Sequence, residues 1–302
     1  MKDGTWASSS AITDGRRVFA FFESSGLYTY DMNGTLLWQR EFGEKKMFAD
    51  VGESGGTPVL YEDRLIIVWD HQGTSFVATL DAATGRELWR SARQEVDSWA
   101  TPLVVTHDGR AQVVTAAEKR VRSYELETGR LVWESDGLTM NPIPSPVAED
   151  GMVFVMAGFQ GSDLQAIRLA DARGDLAGGN AIAWRLDRDA PYVPSPLLYN
   201  GFLYFLKYNA GILSVLDAKT GKPHYQAQRL DGLPEVYSSP VAARDRVYIT
   251  SREGTTLVIR HGATFEVLAS NSLDDGFDAS AALVEGNIYL RGYRFLYNIA
   301  EP

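Results

Sequence analysis

The chain has 302 residues, of which 45% are hydrophobic and 23% charged, and its 29 basic and 39 acidic residues give a net charge of −10. This acidic balance argues against nucleic acids and anionic membrane surfaces as partners. The sequence contains no Cys, which excludes disulfides, thiolate metal sites and Cys nucleophiles. No apolar run approaches the roughly 18 residues that a transmembrane helix needs, so we expect no membrane insertion.

A small hydroxyl residue, usually followed by Pro, opens an apolar stretch at regular intervals along the chain. The seven landmarks begin at Ser10, Thr57, Thr101, Ser145, Ser195, Ser239 and Ser280. The spacings between successive landmarks are 47, 44, 44, 50, 44 and 41 residues by subtraction. A period of this size predicts one supersecondary unit per repeat, each packed on its neighbours.

Each repeat contains the same elements in the same order. The landmark strand is followed by a turn rich in Gly, Asn and Asp, a β-rich run, and an alternating run that usually ends in an acid. The second runs are residues 18–22, 65–69, 112–115, 152–156, 202–206, 247–250 and 288–290. The third runs include residues 27–31, 77–81, 121–125 and 213–217. No segment shows a convincing helical period.

A shared motif often leads into a fourth strand. Its fullest version is Asp81-Ala82-Ala83-Thr84-Gly85-Arg86-Glu87-Leu88-Trp89, and related versions occupy residues 31–38, 125–133 and 217–225. The acid and the Thr can bond turn amides, the Gly suits a left-handed position, and the terminal aromatic can fill the space between neighbouring sheets. Four short antiparallel strands at this period predict a β-propeller. We expect one all-β domain over residues 1–302, with blades starting near residues 8, 55, 99, 143, 193, 237 and 278.

The motif resembles the tryptophan-docking repeat of the PQQ-like, or quinoprotein-type, β-propellers, a superfamily that includes BamB-type assembly lipoproteins and quinoprotein alcohol dehydrogenases. The runs 191–198, 251–256 and 273–280 resemble a subgroup of exported bacterial PQQ-binding-like β-propeller repeat proteins of unassigned activity. The resemblance covers essentially the whole chain. It implies a periplasmic or secreted protein, and it specifies the fold far more closely than the function.

The number of blades has two interpretations. The superfamily commonly has eight blades, whereas this chain has seven landmarks, and only 22 residues follow Ser280, which suffice for about three strands. Either a seven-bladed propeller has an incomplete last blade, or the chain is an N-terminally truncated part of a longer protein. The abrupt start favours truncation, in which case the lack of a signal peptide says nothing about location.

The residues just before each landmark are equivalent positions on one propeller face, where ligands usually bind. They combine aromatic, acidic and amide side chains, which suit a protein, a glycan or another small molecule. The candidate ligand-binding residues are Trp6, Glu53, Asp97, Trp99, Asn141, Tyr192, Tyr237 and Asp278. The alternative is that these side chains only satisfy loop amides and fill the channel.

We weigh three functions for this face. The first is a non-catalytic, monomeric binding or assembly scaffold of the cell envelope, because no catalytic residue or metal cluster stands out. The resemblance implies the second, a PQQ- and calcium-dependent oxidoreductase, for which Glu53, Asn141, Asp278 and Trp99 are the right residue types. No family cofactor motif surrounds them, and the vicinal Cys pair of many such enzymes is impossible here. The third is a sugar-acting hydrolase or lyase.

An acidic run and a long insertion are two further candidate features of the sequence. Asp274, Asp275 and Asp278 could hold a hard cation, but they lack the spacing of a known calcium loop, so a solvated turn is the simpler interpretation. Residues 171–181 form the one long insertion, rich in Gly and small residues, and we expect a surface loop there.

Overall fold

A computed structural model describes residues 8–23, 25–47 and 55–300, so Trp6 and Glu53 lie outside the described residues. The described residues contain no α-helix, and thus no helix of the length and apolar character that a membrane crossing requires. They form seven successive antiparallel sheets, the blades of a seven-bladed β-propeller. Two compact units are present: Met1–Pro146 with Arg168–Ala181, and Val147–Ile167 with Ile182–Pro302.

The first unit contains sheets 1, 2 and 3. Their strands are β1 Ile12–Thr13, β2 Arg17–Phe22, β3 Gly26–Asp31, β4 Leu36–Arg40; β5 Val59–Tyr61, β6 Arg64–Trp69, β7 Ser75–Asp81, β8 Glu87–Arg93; β9 Leu103–His107, β10 Arg110–Thr115, β11 Arg120–Glu125 and β12 Leu131–Asp136. Each sheet follows chain order with antiparallel neighbours. The predicted strand segments therefore match the observed strands to within a few residues.

The second unit contains sheets 4 to 7. Their strands are β13 Val147–Glu149, β14 Met152–Ala157, β15 Asp163–Arg168, β17 Ile182–Leu186; β18 Leu197–Tyr199, β19 Phe202–Leu206, β20 Ile212–Asp217, β21 Pro223–Arg229; β22 Val241–Ala243, β23 Arg246–Thr250, β24 Thr255–Arg260, β25 Val267–Ser272; β26 Ala282–Val284, β27 Asn287–Arg291 and β28 Leu296–Ile299. In the described residues sheet 7 has three strands, as the short last repeat predicts.

The long insertion is mostly exposed, as its composition predicts, but it is not entirely a loop. It contains a two-residue strand, β16 Gly174–Asp175, which pairs in parallel with β12 and makes sheet 3 five-stranded. The Leu176 amide also donates to the Glu134 carbonyl at 2.9 Å. The strand register pairs Gly174 with Trp133, whose exposed fraction is 0%. The small residues of the insertion allow the backbone to lie close against the outer edge of the sheet.

The hydrophobic core lies between the faces of successive sheets within each unit. Phe19 and Phe21 of sheet 1 pack with Ile67 and Trp69 of sheet 2 in one such layer. Further layers join sheets 2 and 3, sheets 4 and 5, and sheets 5 and 6. Strands that alternate between two buried faces explain the continuous apolar runs of the sequence. Full burial of each large side chain contributes about 1.5–3 kcal/mol.

The landmark hydroxyls tie the first strands of successive sheets together. The Ser10 amide donates to Thr57 Oγ1 at 3.0 Å, the Thr57 amide to Thr101 Oγ1 at 3.1 Å, and the Thr101 amide to Ser145 Oγ at 3.2 Å. In the second unit the Ser195 amide donates to Ser239 Oγ at 3.0 Å, and the Ser239 amide to Ser280 Oγ at 2.9 Å. Each hydroxyl therefore supplies an acceptor that the neighbouring backbone needs.

The repeat motif places an aromatic ring against the turn of the next sheet. Asp81 Oδ1 accepts from the amide and hydroxyl of Thr84, at 2.8 and 2.7 Å. Gly85 has a φ of +70°, and a Cβ there would lie 2.6 Å from the Trp38 ring. The Trp38 indole donates to the Ala82 carbonyl at 3.3 Å. The glycine is thus required both for its left-handed backbone and for the close approach of the ring.

Candidate functional site

The six described candidate residues lie in connections between the fourth strand of one sheet and the first strand of the next. Asp97, Trp99 and Asn141 belong to the first unit, and Tyr192, Tyr237 and Asp278 to the second. These connections reach the same end of the strands, because every sheet runs through its strands in the same order. The surroundings of the candidates differ strongly between the two units.

The candidates of the first unit are buried or half-buried in the connecting loops. Asp97 is buried and accepts from Gln72 Nε2 at 2.8 Å. The Trp99 amide donates to the Pro142 carbonyl at 2.9 Å. Asn141, which is 8% exposed, has a φ of +51°, a left-handed position that Asn tolerates better than most residues. Asp97 and Asn141 are therefore buried within the loops, whereas the Trp99 side chain is half-buried.

A buried ion pair lies at the same strand ends in sheet 2, and the sequence patterns did not indicate it. Arg93 Nε and Nη2 donate to the two carboxylate oxygens of Asp70 at 2.8 and 2.9 Å, and both side chains are 0% exposed. Arg93 Nη1 also donates to Thr115 Oγ1 and the Tyr124 hydroxyl of sheet 3, at 2.6 and 2.9 Å. Burial raises the pKa of Asp70, and the Arg93 charge opposes that rise. The guanidinium therefore joins two sheets and compensates a buried carboxylate.

Two further buried carboxylates of the first unit are paired in the same way. Glu23 accepts from Lys45 Nζ at 2.5 Å, and this ammonium lies 5.2 Å from the centre of the Trp69 ring. Glu95 pairs with Arg122 and also accepts from the Lys119 amide at 3.0 Å. These charges hold the connecting loops in place. Glu23 and Glu95 are therefore each paired with a cation within the first unit.

In the second unit Tyr192 is the centre of an aromatic stack. Its ring lies 4.7 Å from that of Phe159 and 5.0 Å from that of Tyr208, with interplanar angles of 23° and 27°. Tyr208 is 44% exposed and has a φ of +54°. Its amide donates to the Ala190 carbonyl at 3.0 Å, and its carbonyl accepts from the Tyr192 amide at 3.2 Å. A bulky residue rarely adopts this backbone, so the loop holds an exposed flat ring at a conformational cost.

The other two candidates of this unit meet at Arg252. The guanidinium lies 3.9 Å from the centre of the Tyr237 ring, and its Nε donates to Asp278 Oδ1 at 2.7 Å. The Tyr293 hydroxyl donates to Asp278 Oδ2 at 2.7 Å, and Tyr293 is 64% exposed. Glu235 lies 3.4 Å from the same guanidinium. Arg252 falls in a run that the family resemblance had singled out, but its link to Tyr237 and Asp278 depends on the fold.

The acidic run before the last landmark differs from the solvated turn of the simpler interpretation, because Asp274 is exposed but Asp275 is buried. Asp275 is buried, and its oxygens accept from the Gly276, Arg294 and Phe295 amides at 2.8 to 3.2 Å and from the Tyr297 hydroxyl at 3.2 Å. Burial raises the pKa of Asp275, but these donors outweigh it and lower the pKa overall. Within residues 8–23, 25–47 and 55–300, no three His, Asp or Glu side chains are grouped so that they could hold a metal ion.

A family profile matches most of the chain. The PQQ_2 family, described as outer membrane protein assembly factor BamB, matches residues 73–291. No curated protein shows significant sequence similarity to the chain.

Solved structures resemble the chain in fold. BamB from Moraxella catarrhalis superposes with a TM-score of 0.71 at 15% identity, over 94% of this chain and 82% of that one. A europium-containing methanol dehydrogenase gives a TM-score of 0.68 at 9% identity, over 93% and 72%. The computationally designed protein Ika8 gives 0.53 at 11% identity, over 96% and 95%. At these identities the likeness establishes the fold alone.

Proposed function

The chain belongs to the PQQ_2 family of outer membrane protein assembly factor BamB, and from that membership we propose that it is a non-catalytic binding scaffold of the cell envelope. The chain acts as a monomer. It binds a partner protein through the loops that precede the landmark strands. The family description supports an envelope location, and we propose the periplasm. Structural likeness to BamB of Moraxella catarrhalis agrees with a scaffold built on this fold.

The observation that carries the proposal is the stack of Phe159, Tyr192 and Tyr208. Exposed aromatic rings held rigidly are typical anchors of protein interfaces, because they offer a large contact area at a small entropic cost. Stacking on Tyr192 holds the Tyr208 ring in position before a partner binds. Arg252, Asp278 and Tyr293 add a polar cluster in the same unit, which would supply directional hydrogen bonds at the rim of a contact.

The test is affinity capture from a bacterial envelope extract. We expect the wild-type protein to retain a discrete partner, and Tyr208→Ser combined with Arg252→Gln to reduce the retained amount at least tenfold. Met32→Ser is the matched control, because Met32 is exposed on sheet 1, away from these loops in the chain. Equal capture by the wild type and the double variant would argue against this surface.

A quinoprotein oxidoreductase is the alternative, favoured by the fold likeness to the europium-containing methanol dehydrogenase. The residue set proposed for the cofactor fits poorly, because Asp278 is already bonded to Arg252 and Tyr293 and the left-handed Asn141 is almost fully buried. We therefore derive no step through a quinone. Titration of the protein with PQQ and Ca²⁺ decides the matter. We expect no saturable absorbance change, and a stoichiometric one that Asp278→Asn abolishes would establish the alternative.

A glycan ligand is the second alternative, because flat aromatic faces such as Tyr208 also stack on sugar rings. Binding of the purified protein to a glycan panel tests it. Specific binding of one glycan that Tyr208→Ser abolishes would indicate that the ligand is a glycan and not a protein. Hydrolysis or elimination of the bound sugar would indicate an enzyme.

A further inference from the structure

Sheet 6 departs from the repeat at the position where other sheets carry their large aromatic residue. In sheets 1 to 6, one residue of the third strand lies next to a β-bulge and pairs with a residue of the fourth strand. The pairs of sheets 1 to 5 are Thr29 with Trp38, Thr79 with Trp89, Ser123 with Trp133, Ala166 with Trp184, and Val215 with Tyr225. In sheet 6 the same position pairs Val258 with Ala269. A methyl group therefore stands where the other sheets place an indole or a phenol.

A groove of about 520 Å³ lies on this face of sheet 6. The opposite face, with Val247 and Ile259, packs into the core shared with sheet 5. The described lining residues all belong to sheet 6: Arg244, Asp245, Arg246, Tyr248, Val258, Arg260, Leu268 and Ala269. This volume lies within the range of about 300–1,000 Å³ typical of ligand sites.

The groove lining has more positive than negative side chains, with Arg244, Arg246 and Arg260 against Asp245, although the protein as a whole carries a net charge of −10. Arg246 lies opposite Arg260 in the strand register, whereas the equivalent pairs elsewhere include Arg17 with Asp31 and Arg64 with Asp81. Like charges directly opposite each other are unfavourable unless another group compensates them. Arg260 is bonded to Glu266 at 2.6 Å. Within the described residues, no carboxylate lies within salt-bridge distance of the third groove arginine, Arg244, or of Arg246.

We infer that this groove binds an acidic peptide segment of a partner protein, with one aromatic side chain inserted against Ala269. The aromatic ring would occupy the position that Trp38, Trp89 and Trp184 take in their own sheets. Carboxylates on either side of it would pair with Arg244 and Arg246, which recognise carboxylates through two parallel hydrogen bonds. Clusters of arginines recognise acidic segments in this way in other peptide-binding domains.

The groove is distinct from the surface of the proposed function. Arg246 opens strand β23, whereas Arg252 follows its end, so the two sites lie at opposite ends of one strand. The inference rests on a protein-binding role for the chain, but it uses none of the residues of the aromatic stack or the Arg252 cluster. A substitution in the groove therefore tests the groove without altering the loop surface, and a substitution in the loop surface does not alter the groove.

The probe is a fluorescein-labelled five-residue peptide with Trp at its centre and two acidic residues on each side, followed by fluorescence anisotropy. We expect saturable binding to the wild-type protein that weakens as salt is added. Arg246→Glu, which places a carboxylate opposite Arg260, should weaken binding at least tenfold. Ala269→Trp should do the same, because its ring fills the position of the peptide aromatic.

Two controls separate the groove from general charge effects. Arg110 opens the second strand of sheet 3 as Arg246 does in sheet 6, so Arg110→Glu is the matched variant and should change the Kd less than twofold. A peptide with Lys in place of the acids should not bind, and one with Ala in place of Trp should bind at least fivefold more weakly. Melting curves establish that each variant is folded, and Arg246→Gln replaces Arg246→Glu if the latter is not.

Three results would overturn the inference. The first is no saturable binding of the acidic peptide to the wild-type protein, and the second is equal binding to wild type, Arg246→Glu and Ala269→Trp. The third is concentration-dependent dimerisation of the wild type in sedimentation that Arg246→Glu abolishes, because the occupant would then be a second copy of the chain. If the Tyr208 and Arg252 variants lost partner capture but still bound the peptide, the peptide-binding role of the groove would stand independently of the loop surface.

Discussion

At the scale of the residue, the buried ion pair between Asp70 and Arg93 joins sheets 2 and 3 of the first unit. Replacing Arg93 with Met keeps much of the side-chain volume but leaves the Asp70 carboxylate buried without its cation. We expect a loss of about 3–5 kcal/mol in the free energy of unfolding, measured by urea denaturation at neutral pH. Arg260→Met is the control. It breaks an exposed pair with Glu266 and should cost far less.

The pH dependence of this variant tests the cause of the loss. Burial raises the pKa of Asp70, and without Arg93 nothing in the pair opposes that rise. The folded state then holds the proton more tightly than the unfolded state, so protonation favours folding. The deficit of Arg93→Met relative to wild type should therefore narrow as the pH is lowered from neutral. A deficit that stays constant with pH would show that lost packing, not the buried charge, is responsible.

Gly85 tests the double role of the motif glycine. Gly34 has a similar left-handed φ of +83°, but nothing lies within 4 Å of a Cβ built there, whereas the Trp38 ring would lie 2.6 Å from a Cβ on Gly85. Gly34→Ala should lower the free energy of unfolding by about 1 kcal/mol through the backbone alone. Gly85→Ala should lower it by about 3 kcal/mol, because the ring must also move. Equal losses in the two variants would argue against the ring contact.

At the scale of the element, the contact between neighbouring first strands explains why each landmark is a Ser or Thr. Its hydroxyl accepts an amide hydrogen bond from the preceding landmark, and a repeat of about 44 residues brings the two together. Thr101→Val keeps the shape but leaves the Thr57 amide without its acceptor. We expect a loss of about 1 kcal/mol in the free energy of unfolding. The exposed Thr264 offers the control, and if Thr264→Val cost as much, the hydroxyl ladder would contribute nothing.

The strands and turns could be predicted from the sequence, because each depends mainly on residues that are close together in the chain. The second and third strands of each sheet and the acid and glycine of the turns were visible as local patterns. Local patterns do not encode which side chains meet between sheets. Arg252 meets Asp278 across 26 positions, and no periodicity predicts that contact. The absence of an aromatic at Ala269 was visible in the sixth repeat, but the groove it leaves required the strand register.

At the scale of the whole molecule, the repeat count and the residue types predicted the propeller and its family. They did not distinguish a scaffold from an enzyme, because both are built on the same blades. The described candidate residues have different surroundings in the two units. Asp97 and Asn141 are buried, whereas Tyr192 stacks on the exposed Tyr208 and Asp278 bonds the exposed Tyr293. Burial depends on packing against other sheets, so similar residue types in these connections acquired different surroundings.

The central claim is that the exposed loops of the second unit bind a protein partner, and in-cell photo-crosslinking tests it most directly. A benzophenone amino acid placed at Tyr208 or Tyr293 should give one discrete protein adduct in the cell envelope, and the same group at Met32 should give none. Adducts of equal yield from all three positions, or none from Tyr208 and Tyr293, would contradict the scaffold.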